Sequence, residues 1–277
     1  MTHTVKLEMA AASDVGLIRT HNEDSIAFSA EVSPGCGFAI LADGMGGYNA
    51  GEVASAMATS IVRDALQHHL QPLRSAQSAP APIPMPVRHL WLSEAIEAAN
   101  AAILQAALKE PQYRGMGTTI VVALLRGDLL TLAHVGDSRG YRYRGGRLEQ
   151  LTRDHSLLQQ QIDAGLITPE SAPFYHHKNI ITRAVGVDHL VQSELHDIPI
   201  EPGDIYVLCS DGLSDMLTAA QIGTVLMGCA GGADLDDACK TLIDEANAHG
   251  GHDNISVIFD QKYWRDREYG STTQNYV

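Results

Sequence analysis

Strand-like and helical segments follow one another along this chain in an order that does not alternate. One strand-like run is followed by two helical patterns, then by a series of strand-like runs, and finally by mixed elements. A doubly wound sheet needs strands and helices in alternation, so the order argues against that architecture. It predicts an α+β fold, in which a central antiparallel β-sandwich is flanked by α-helices on both sides.

Five short apolar runs rich in β-branched residues predict strands. They lie at residues 36–42, 118–125, 129–135, 204–209 and 255–259. Glycine-containing turns at 126–128 and 144–147 join neighbouring runs, as in antiparallel hairpins. We therefore expect an antiparallel meander from about residue 118 to residue 151.

Three segments have the apolar spacing of amphipathic helices. The first spans residues 52–70. The second begins after Ser93, a residue type that caps helix N-termini, and its apolar residues recur as far as Ala107. The third spans residues 235–248 and stops before Gly250 and Gly251, because glycine commonly follows the end of a helix.

The chain is expected to form one domain over residues 1–262, followed by a C-terminal tail at 263–277. With 277 residues and 45% apolar content it can bury a substantial core. A proline-rich stretch at 71–88 predicts an extended loop within the domain, since neither flanking half looks self-sufficient. A second irregular segment, at about 159–179, predicts a surface flap.

Composition excludes several classes of function. The 33 acidic and 19 basic residues give a formal net charge of −14, which argues against a nucleic-acid groove. No apolar run approaches the roughly 20 residues of a membrane span, and the N-terminus lacks the pattern of a secretion signal. The four cysteines form no Cys-x-x-Cys pair, so we expect buried or partly buried thiols in a cytoplasmic monomer; a zinc site would need histidine partners at ligand spacing.

Four aspartates lie in glycine-containing segments where apolar runs end or begin: Asp43, Asp137, Asp211 and Asp253. A single segment of this kind is equally compatible with a simple turn whose aspartate caps the next helix. Four of them suggest carboxylates gathered at one rim of a sheet, where hard cations find oxygen ligands. Like charges packed so closely would repel one another without a cation, so the pattern predicts a divalent-metal centre.

Two neighbouring segments add candidate ligands. A glycine-rich turn after Asp43 would let the carbonyl of Gly44 face the same cation as the carboxylate. Upstream, Arg19 lies four residues before the pair Glu23 and Asp24, and a guanidinium can bind phosphate beside metal-ligand oxygens. A charged loop of this composition is also compatible with an ordinary solvated surface.

A set of ordered strings carries a resemblance to a known family. From Ser13 to Val257 the chain contains SDVGLIRTHNEDS, ADGMGG, GTT, HVGDSRGYR, LTRDHS, ITRAVG, SDGLSD and GGHDNISV. Together they resemble the metal-dependent type-2C (PPM family) protein serine/threonine phosphatases, in their bacterial branch. The resemblance covers nearly the whole chain and implies a helix-flanked β-sandwich with two Mg²⁺ or Mn²⁺ ions at one end.

The resemblance implies a role for each matching position. Asp43 would bridge both metals, the Gly44 carbonyl would hold one of them, and Asp211 and Asp253 would hold the other. The remaining matches are as follows: Glu23 and Asp24 act largely through metal-bound waters, Asp137 binds a third metal with Asp211, Arg19 binds phosphate, and Asn254 neighbours the metal shell.

The implied reaction is hydrolysis of phosphoserine and phosphothreonine in proteins by a metal-bridging hydroxide. It would reverse a bacterial serine/threonine kinase, so phosphorylated proteins and a cognate kinase are the expected partners. Animal members carry a proposed general-acid histidine where this chain has Met45, and methionine cannot donate a proton. A metal-bound water held by Asp137 is our hypothesis for the acid.

Two other functions remain open from the sequence. A non-catalytic module that binds phosphoproteins would typically have lost one or more metal carboxylates, whereas this chain keeps its acidic positions and Arg19. A stress- or sporulation-type regulator phosphatase would usually carry extra sensory or membrane domains, and none fits in 277 residues.

Overall fold

The computed structural model describes residues 4–33, 35–47, 49–75, 83–168, 171–172, 175 and 179–265. The strands in chain order are β1 (Thr4–Asp14), β2 (Asp24–Ser33), β3 (Cys36–Met45), β4 (Gly117–Thr118), β5 (Ile120–Arg126), β6 (Leu129–Val135), β7 (Arg139–Arg144), β8 (Arg147–Gln150), β9 (Glu194–Pro199), β10 (Ile205–Cys209) and β11 (Ile255–Arg265). The α-helices are α1 (Ala50–Leu70), α2 (Met85–Lys109), α3 (Leu157–Asp163), α4 (Asp211–Ser214), α5 (Ala219–Ala230) and α6 (Leu235–Ala248).

The strands form two antiparallel sheets. The first has the order β1-β11-β10-β7-β8, and the second has the order β2-β3-β5-β6-β9, with β4 paired to the end of β3. Both sheets are buried on both faces near their centres. In β3, for example, Phe38 and Ile40 face the helices whereas Ala39 and Leu41 face the other sheet, because successive side chains of a strand point to opposite faces.

Three apolar clusters hold these layers together. Between the sheets, Leu41, Val121 and Leu208 belong to one buried cluster. Helices α1 and α2 pack on the outer face of the second sheet, and α5 and α6 pack on the outer face of the first. The predicted α+β sandwich with helices on both sides is therefore confirmed.

The predicted meander is only partly correct. Strands β5 and β6 pair as expected, and the turn at 144–147 joins β7 to β8. However, β7 pairs with β10 in the other sheet, so the chain changes sheets between Val135 and Arg139. Gly136 makes this crossing with a φ of +106°, a conformation that few residues other than glycine adopt.

The helix predictions differ in accuracy. The predicted bounds of α6 are confirmed, and α1 begins two residues before its predicted start. The prediction that Ser93 caps the second helix is wrong, because α2 already begins at Met85. Pro86 is tolerated in the first turn, where the missing N–H would have no intrahelical acceptor.

The predicted irregular segments are shorter than expected where the structure describes them. The stretch at 71–88 begins with a 3₁₀ helix, Gln71–Ser75, and its last residues belong to α2, while 76–82 lie outside the described residues. Helix α3 occupies the start of the segment at 159–179, of which 169–170, 173–174 and 176–178 also lie outside. Strand β11 extends to Arg265, three residues into the predicted tail, whose residues 266–277 are not described.

All four cysteines are buried and free, as expected. Each belongs to the core: Cys36 lies on β3, Cys209 on β10, Cys229 on α5 and Cys239 on α6. Across the part of the chain that the structure describes, no helix is both long and apolar enough to cross a membrane.

Candidate metal centre

The acidic residues gather at one end of the sandwich because of how the strands pair. Asp24 lies directly opposite Asp43 at the end of the β2–β3 pair. In the other sheet Cys209 lies opposite Val257, so Asp211, after β10, comes beside Asp253, before β11. Asp137 lies in the crossing from β6 to β7, and β7 begins beside the end of β10.

The electrostatics confirm that these side chains converge. Burial raises the pKa of Asp43 well above its usual range, and the charges of the neighbouring aspartates raise it further. Burial also raises the pKa of Asp24 to about 7, helped by the charges of Asp211 and Asp253. The pKa of Asp211 rises to about 6 and that of Asp137 to about 7, again chiefly through burial. Protein groups alone do not stabilise the charged form of this cluster.

Individual carboxylate oxygens show what the cluster lacks. Among the described residues, Glu23 Oε1, Asp24 Oδ1 and Asp211 Oδ1 are buried and have no hydrogen-bond partner. A buried, unpaired carboxylate oxygen is costly, whereas a hard divalent cation takes such oxygens as its preferred ligands. The donor set therefore fits Mg²⁺ or Mn²⁺.

The backbone around Asp43 and Gly44 is tightly held. Gly44 N donates to Glu23 O at 3.0 Å, Asp43 N donates to Thr119 Oγ1 at 3.0 Å, and Thr118 Oγ1 donates to Asp43 O at 2.8 Å. The prediction of a turn directly after Asp43 is wrong, because β3 continues through Met45 and pairs with β4. Gly44 is needed for close packing, since a Cβ there would lie 2.1 Å from the carbonyl oxygen of Gly51.

Asn254 fixes the loop that carries the first acidic residues. Its Nδ2 donates to Val15 O and to His21 O, both at 2.9 Å, while its Oδ1 accepts from Glu23 N at 2.8 Å. The side chain is 4% exposed. Asn254 therefore orients Glu23 through backbone hydrogen bonds.

Arg19 lies beside the acidic cluster, and its side chain is half exposed. Its Nη2 donates to Asp253 Oδ2 at 2.7 Å. A guanidinium in this position can offer its remaining N–H groups to a phosphate that approaches from solvent. Met45 pairs with Gly117 at the start of β4 and offers no proton.

Three hydroxyl groups support the acidic residues and were not among the predicted site residues. Ser210 Oγ donates to Asp24 Oδ2 at 2.8 Å, and Thr119 Oγ1 lies 2.7 Å from Ser138 Oγ while also accepting from Asp43 N. Ser210 and Ser138 stand directly beside Asp211 and Asp137 in the chain. Their position beside two predicted aspartates was the one signal in the sequence that could have assigned these serines a supporting role.

Comparison with known proteins assigns the fold and the chemistry together. Residues 19–235 match the family model described as protein phosphatase 2C. The serine/threonine phosphatase stp of Listeria innocua is 36% identical over 248 residues, covering 89% of this chain and 92% of that protein. The Mycobacterium tuberculosis phosphatase PstP is 37% identical over 269 residues, covering 97% of this chain and 47% of that longer protein.

Solved structures agree with these sequence matches. The S. agalactiae serine/threonine phosphatase superimposes with a TM-score of 0.79 at 36% identity, covering 92% of this chain and 99% of that one. The PstP catalytic domain in complex with two manganese ions gives 0.76 at 37% identity, covering 94% and 100%. These relatives favour a catalytic role over a phosphoprotein-binding module. The chain belongs to the protein phosphatase 2C family and is a serine/threonine protein phosphatase that depends on Mn²⁺ or Mg²⁺.

Proposed function

We propose that hydrolysis takes place at the acidic end of the sandwich, where Asp43 would be a ligand of both of two cations. In this assignment the Gly44 carbonyl would help to hold one cation, Asp211 and Asp253 would hold the other, and Asp137 with Asp211 would hold a third. Glu23 and Asp24 act largely through bound water. The observation that carries the proposal is the set of buried carboxylate oxygens that have no hydrogen-bond donor within the described part of the chain.

The side chains of the centre divide the remaining work. When bound, two divalent cations supply a water of lowered pKa and stabilise charge on the phosphoryl oxygens. Arg19 binds the phosphoryl group, because its half-exposed guanidinium can turn from Asp253 towards an incoming phosphate. Ser210 and Asn254 keep the acids oriented through the hydrogen bonds described above.

The leaving alkoxide must receive a proton, and Met45 cannot provide it. We assign this step to a water held by Asp137, a carboxylate that is 7% exposed. Asp137→Asn should then lower the rate on a phosphoserine peptide even at saturating metal. The assignment fails if this variant only weakens metal affinity and leaves the saturated rate unchanged.

Metal dependence is the direct test of the assigned ligands. Turnover of p-nitrophenyl phosphate and of a phosphoserine peptide should require Mn²⁺ or Mg²⁺ and stop in EDTA. Asp211→Asn should abolish turnover at any attainable metal concentration. Activity that persists in EDTA, or in Asp211→Asn with metal present, would refute the two-metal assignment.

The physiological setting is also part of the proposal. The substrates would be proteins phosphorylated by a bacterial serine/threonine kinase, and the phosphatase would act as a cytoplasmic monomer. Support comes from the named phosphatases among its relatives and from the four buried thiols. Light scattering should give a mass near 29.8 kDa, and a dimer mass would contradict the monomer.

A further inference from the structure

Two sequence motifs, LTRDHS and ITRAVG, contribute none of the ligands proposed above. The structure brings them together behind Asp137. His155, from the first motif, is 5% exposed, and its ring Nδ1 accepts a hydrogen bond from Gly136 N at 3.1 Å. The backbone adds a second bond in the opposite direction, from His155 N to Gly136 O at 2.9 Å. His155 therefore holds both polar backbone groups of the residue that precedes Asp137.

Residues of the second motif, ITRAVG, contact His155 and complete this arrangement. Thr182 N donates to His155 O at 2.7 Å, which fixes the backbone of His155. Arg183, the next residue, places its Nη1 3.2 Å from Glu194 Oε1 and 3.2 Å from His155 Nε2. Glu194 Oε1 also lies 3.1 Å from His155 Nε2. Oε1 of Glu194 thus accepts hydrogen bonds from both the imidazole of His155 and the guanidinium of Arg183.

These contacts determine the tautomer of His155. Since Nδ1 accepts a backbone N–H, the proton of the neutral ring must be on Nε2. That Nε2–H then donates to Glu194, and Arg183 supplies a second donor to the same oxygen. Burial lowers the pKa of His155, which agrees with a neutral ring.

The same group of residues has the composition of a metal site. One potential ligand atom from each of His134, His155 and Glu194 lies within 4.8 Å of the others. His134 Nδ1 is buried without a hydrogen-bond partner among the described residues. However, His155 could bind a cation only by giving up the proton on Nε2 while Nδ1 still accepts, and the positive Arg183 lies 3.2 Å away. The hydrogen bonds therefore argue against a metal here.

Gly136 shows why this turn needs support. Its φ is +106°, and a Cβ at this position would lie 2.7 Å from the Cβ of Thr119. The turn is thus an unusual backbone conformation pressed against the residue that also bonds Asp43 N. Small rotations of the Gly136 peptide would redirect the side chain of Asp137.

We infer that His155, itself fixed by Glu194 and Arg183, is a positioning residue that sets the direction in which Asp137 enters the metal centre. The inference rests on the proposed role of Asp137 as a metal-binding residue. It extends that role to side chains that contact neither metal nor substrate.

The test compares two variants of similar shape. Asn at position 155 can place an acceptor near the former Nδ1, whereas Leu cannot. His155→Leu should raise the Mn²⁺ concentration for half-maximal activity by about tenfold, as expected for loss of a residue that orients a metal ligand. The KM for a phosphoserine peptide should stay constant, and His155→Asn should recover most of the loss. Equal defects in the two variants would overturn the inference.

A double variant separates this inference from the proposed function. If His155 acts through Asp137, His155→Leu should have no further effect on Mn²⁺ dependence in an Asp137→Asn background. Additive effects would refute the positioning role. An Asp137→Asn variant with unchanged Mn²⁺ dependence would instead refute the proposed role of Asp137 itself.

Two further measurements keep the inference testable if His155→Leu does not fold. Arg183→Met removes a half-exposed side chain and should shift the Mn²⁺ dependence in the same direction by a smaller factor. ¹⁵N spectra of the Mg²⁺-loaded protein should show His155 protonated on Nε2 alone, unchanged by added Zn²⁺. Loss of that proton on adding Zn²⁺, or an unshifted Arg183→Met, would contradict the inference.

Discussion

Asp204 and Asp24 are carboxylates enclosed by the same sandwich, but their surroundings are opposite. Asp204 is fully buried and accepts hydrogen bonds from Arg144 Nε and Nη2, both at 2.6 Å, and from Tyr206 Oη at 2.9 Å. Burial alone would raise its pKa, yet these partners hold the pKa below its usual range. Asp24 accepts a hydrogen bond from Ser210, has one buried oxygen with no hydrogen-bond partner among the described residues, and has a pKa raised to about 7.

The difference separates a structural carboxylate from an acid of the proposed metal centre. The negative charge of Asp204 is balanced by a positive side chain of the protein, Arg144. The charge of Asp197 is balanced in the same way, since Asp197 accepts from Arg88 Nη2 at 2.8 Å and from Thr131 Oγ1 at 2.7 Å. Among the described residues, the only arginine that bonds to the acids at the metal end is Arg19, which is half exposed and donates to Asp253. The charge of Arg139 lowers the pKa of Asp137 and of Asp211, but burial still leaves both raised. The unfavourable burial of these charged carboxylates distinguishes the metal end from the rest of the sandwich.

Replacing Asp43 by Asn should have the largest effect, with opposite signs in two assays. Activity on a phosphoserine peptide in Mn²⁺ should fall by at least about a hundredfold, because several kcal/mol of transition-state stabilisation depend on the cations. In EDTA at pH 8 the Tm should rise by about 2–4 °C, since one crowded charge is removed. A lower Tm in EDTA would mean that the protein already satisfies this carboxylate.

Asp204→Asn should show the reverse pattern. Loss of the charged acceptor for Arg144 should lower the free energy of unfolding by about 2 kcal/mol, measured by urea denaturation. Activity at saturating Mn²⁺ should remain that of the parent. Asp64→Asn, at an exposed acid paired with its neighbour Arg63, is the matched control and should change neither quantity. A folded Asp204→Asn protein with reduced turnover would contradict the distinction between structural carboxylates and acids of the metal centre.

The two arginines extend the comparison to the positive side chains. Arg19→Lys should raise the KM for the phosphopeptide by about tenfold, or 1.4 kcal/mol, since an ammonium group cannot offer two parallel N–H donors to phosphate. Its Tm should not change, because the ion pair with Asp253 is half exposed. Arg144→Lys should lower the Tm and leave KM unchanged. A shift of Tm in Arg19→Lys would show that Arg19 is structural.

The smallest expected effect is a pH dependence of stability. The pKa values of Asp24, Asp137 and Asp211 are raised to about 7, 7 and 6, so the folded metal-free protein holds protons that the unfolded chain has released. Its stability should therefore fall as the pH rises from about 4 to about 7. The Tm gained on adding Mg²⁺ should grow over this range by about 2–4 °C. An increase in Tm that is constant with pH would contradict the proposal that the buried carboxylates are destabilised without a cation.

The sequence identified acidic residues that the structure brings together, but not the side chains that support them. Asp43, Asp211 and Asp253 stand out because each adjoins a glycine-containing segment and an apolar run, which are local signals. Asn254 acts through bonds to residues more than 230 positions away, and Ser210 bonds Asp24 across 186 positions. No local pattern predicts such contacts, since they depend on how the two sheets stack.

The errors in the fold have similar causes. The change of sheet at Gly136 was missed because a strand, a short loop and another strand look the same whether or not the second strand remains in the first sheet. The start of α2 was missed because Pro84 and Pro86 favour a loop by composition, although proline is accepted in a first helical turn. Helix α5 was not predicted, and its Gly223 and Gly228 weaken a helical pattern.

The hydrogen bonds of Asn254 also bear on when this enzyme can become active during its synthesis. They join the loop that carries Arg19 and Glu23 to the start of β11, so the earliest and latest parts of the domain meet at the catalytic end. A nascent chain that ends before residue 253 lacks Asp253 and also β11, the strand that pairs with both β1 and β10. Contacts of such long sequence separation form late in folding. Ribosome-bound intermediates should therefore be unable to remove phosphate from neighbouring proteins until translation of the domain is complete.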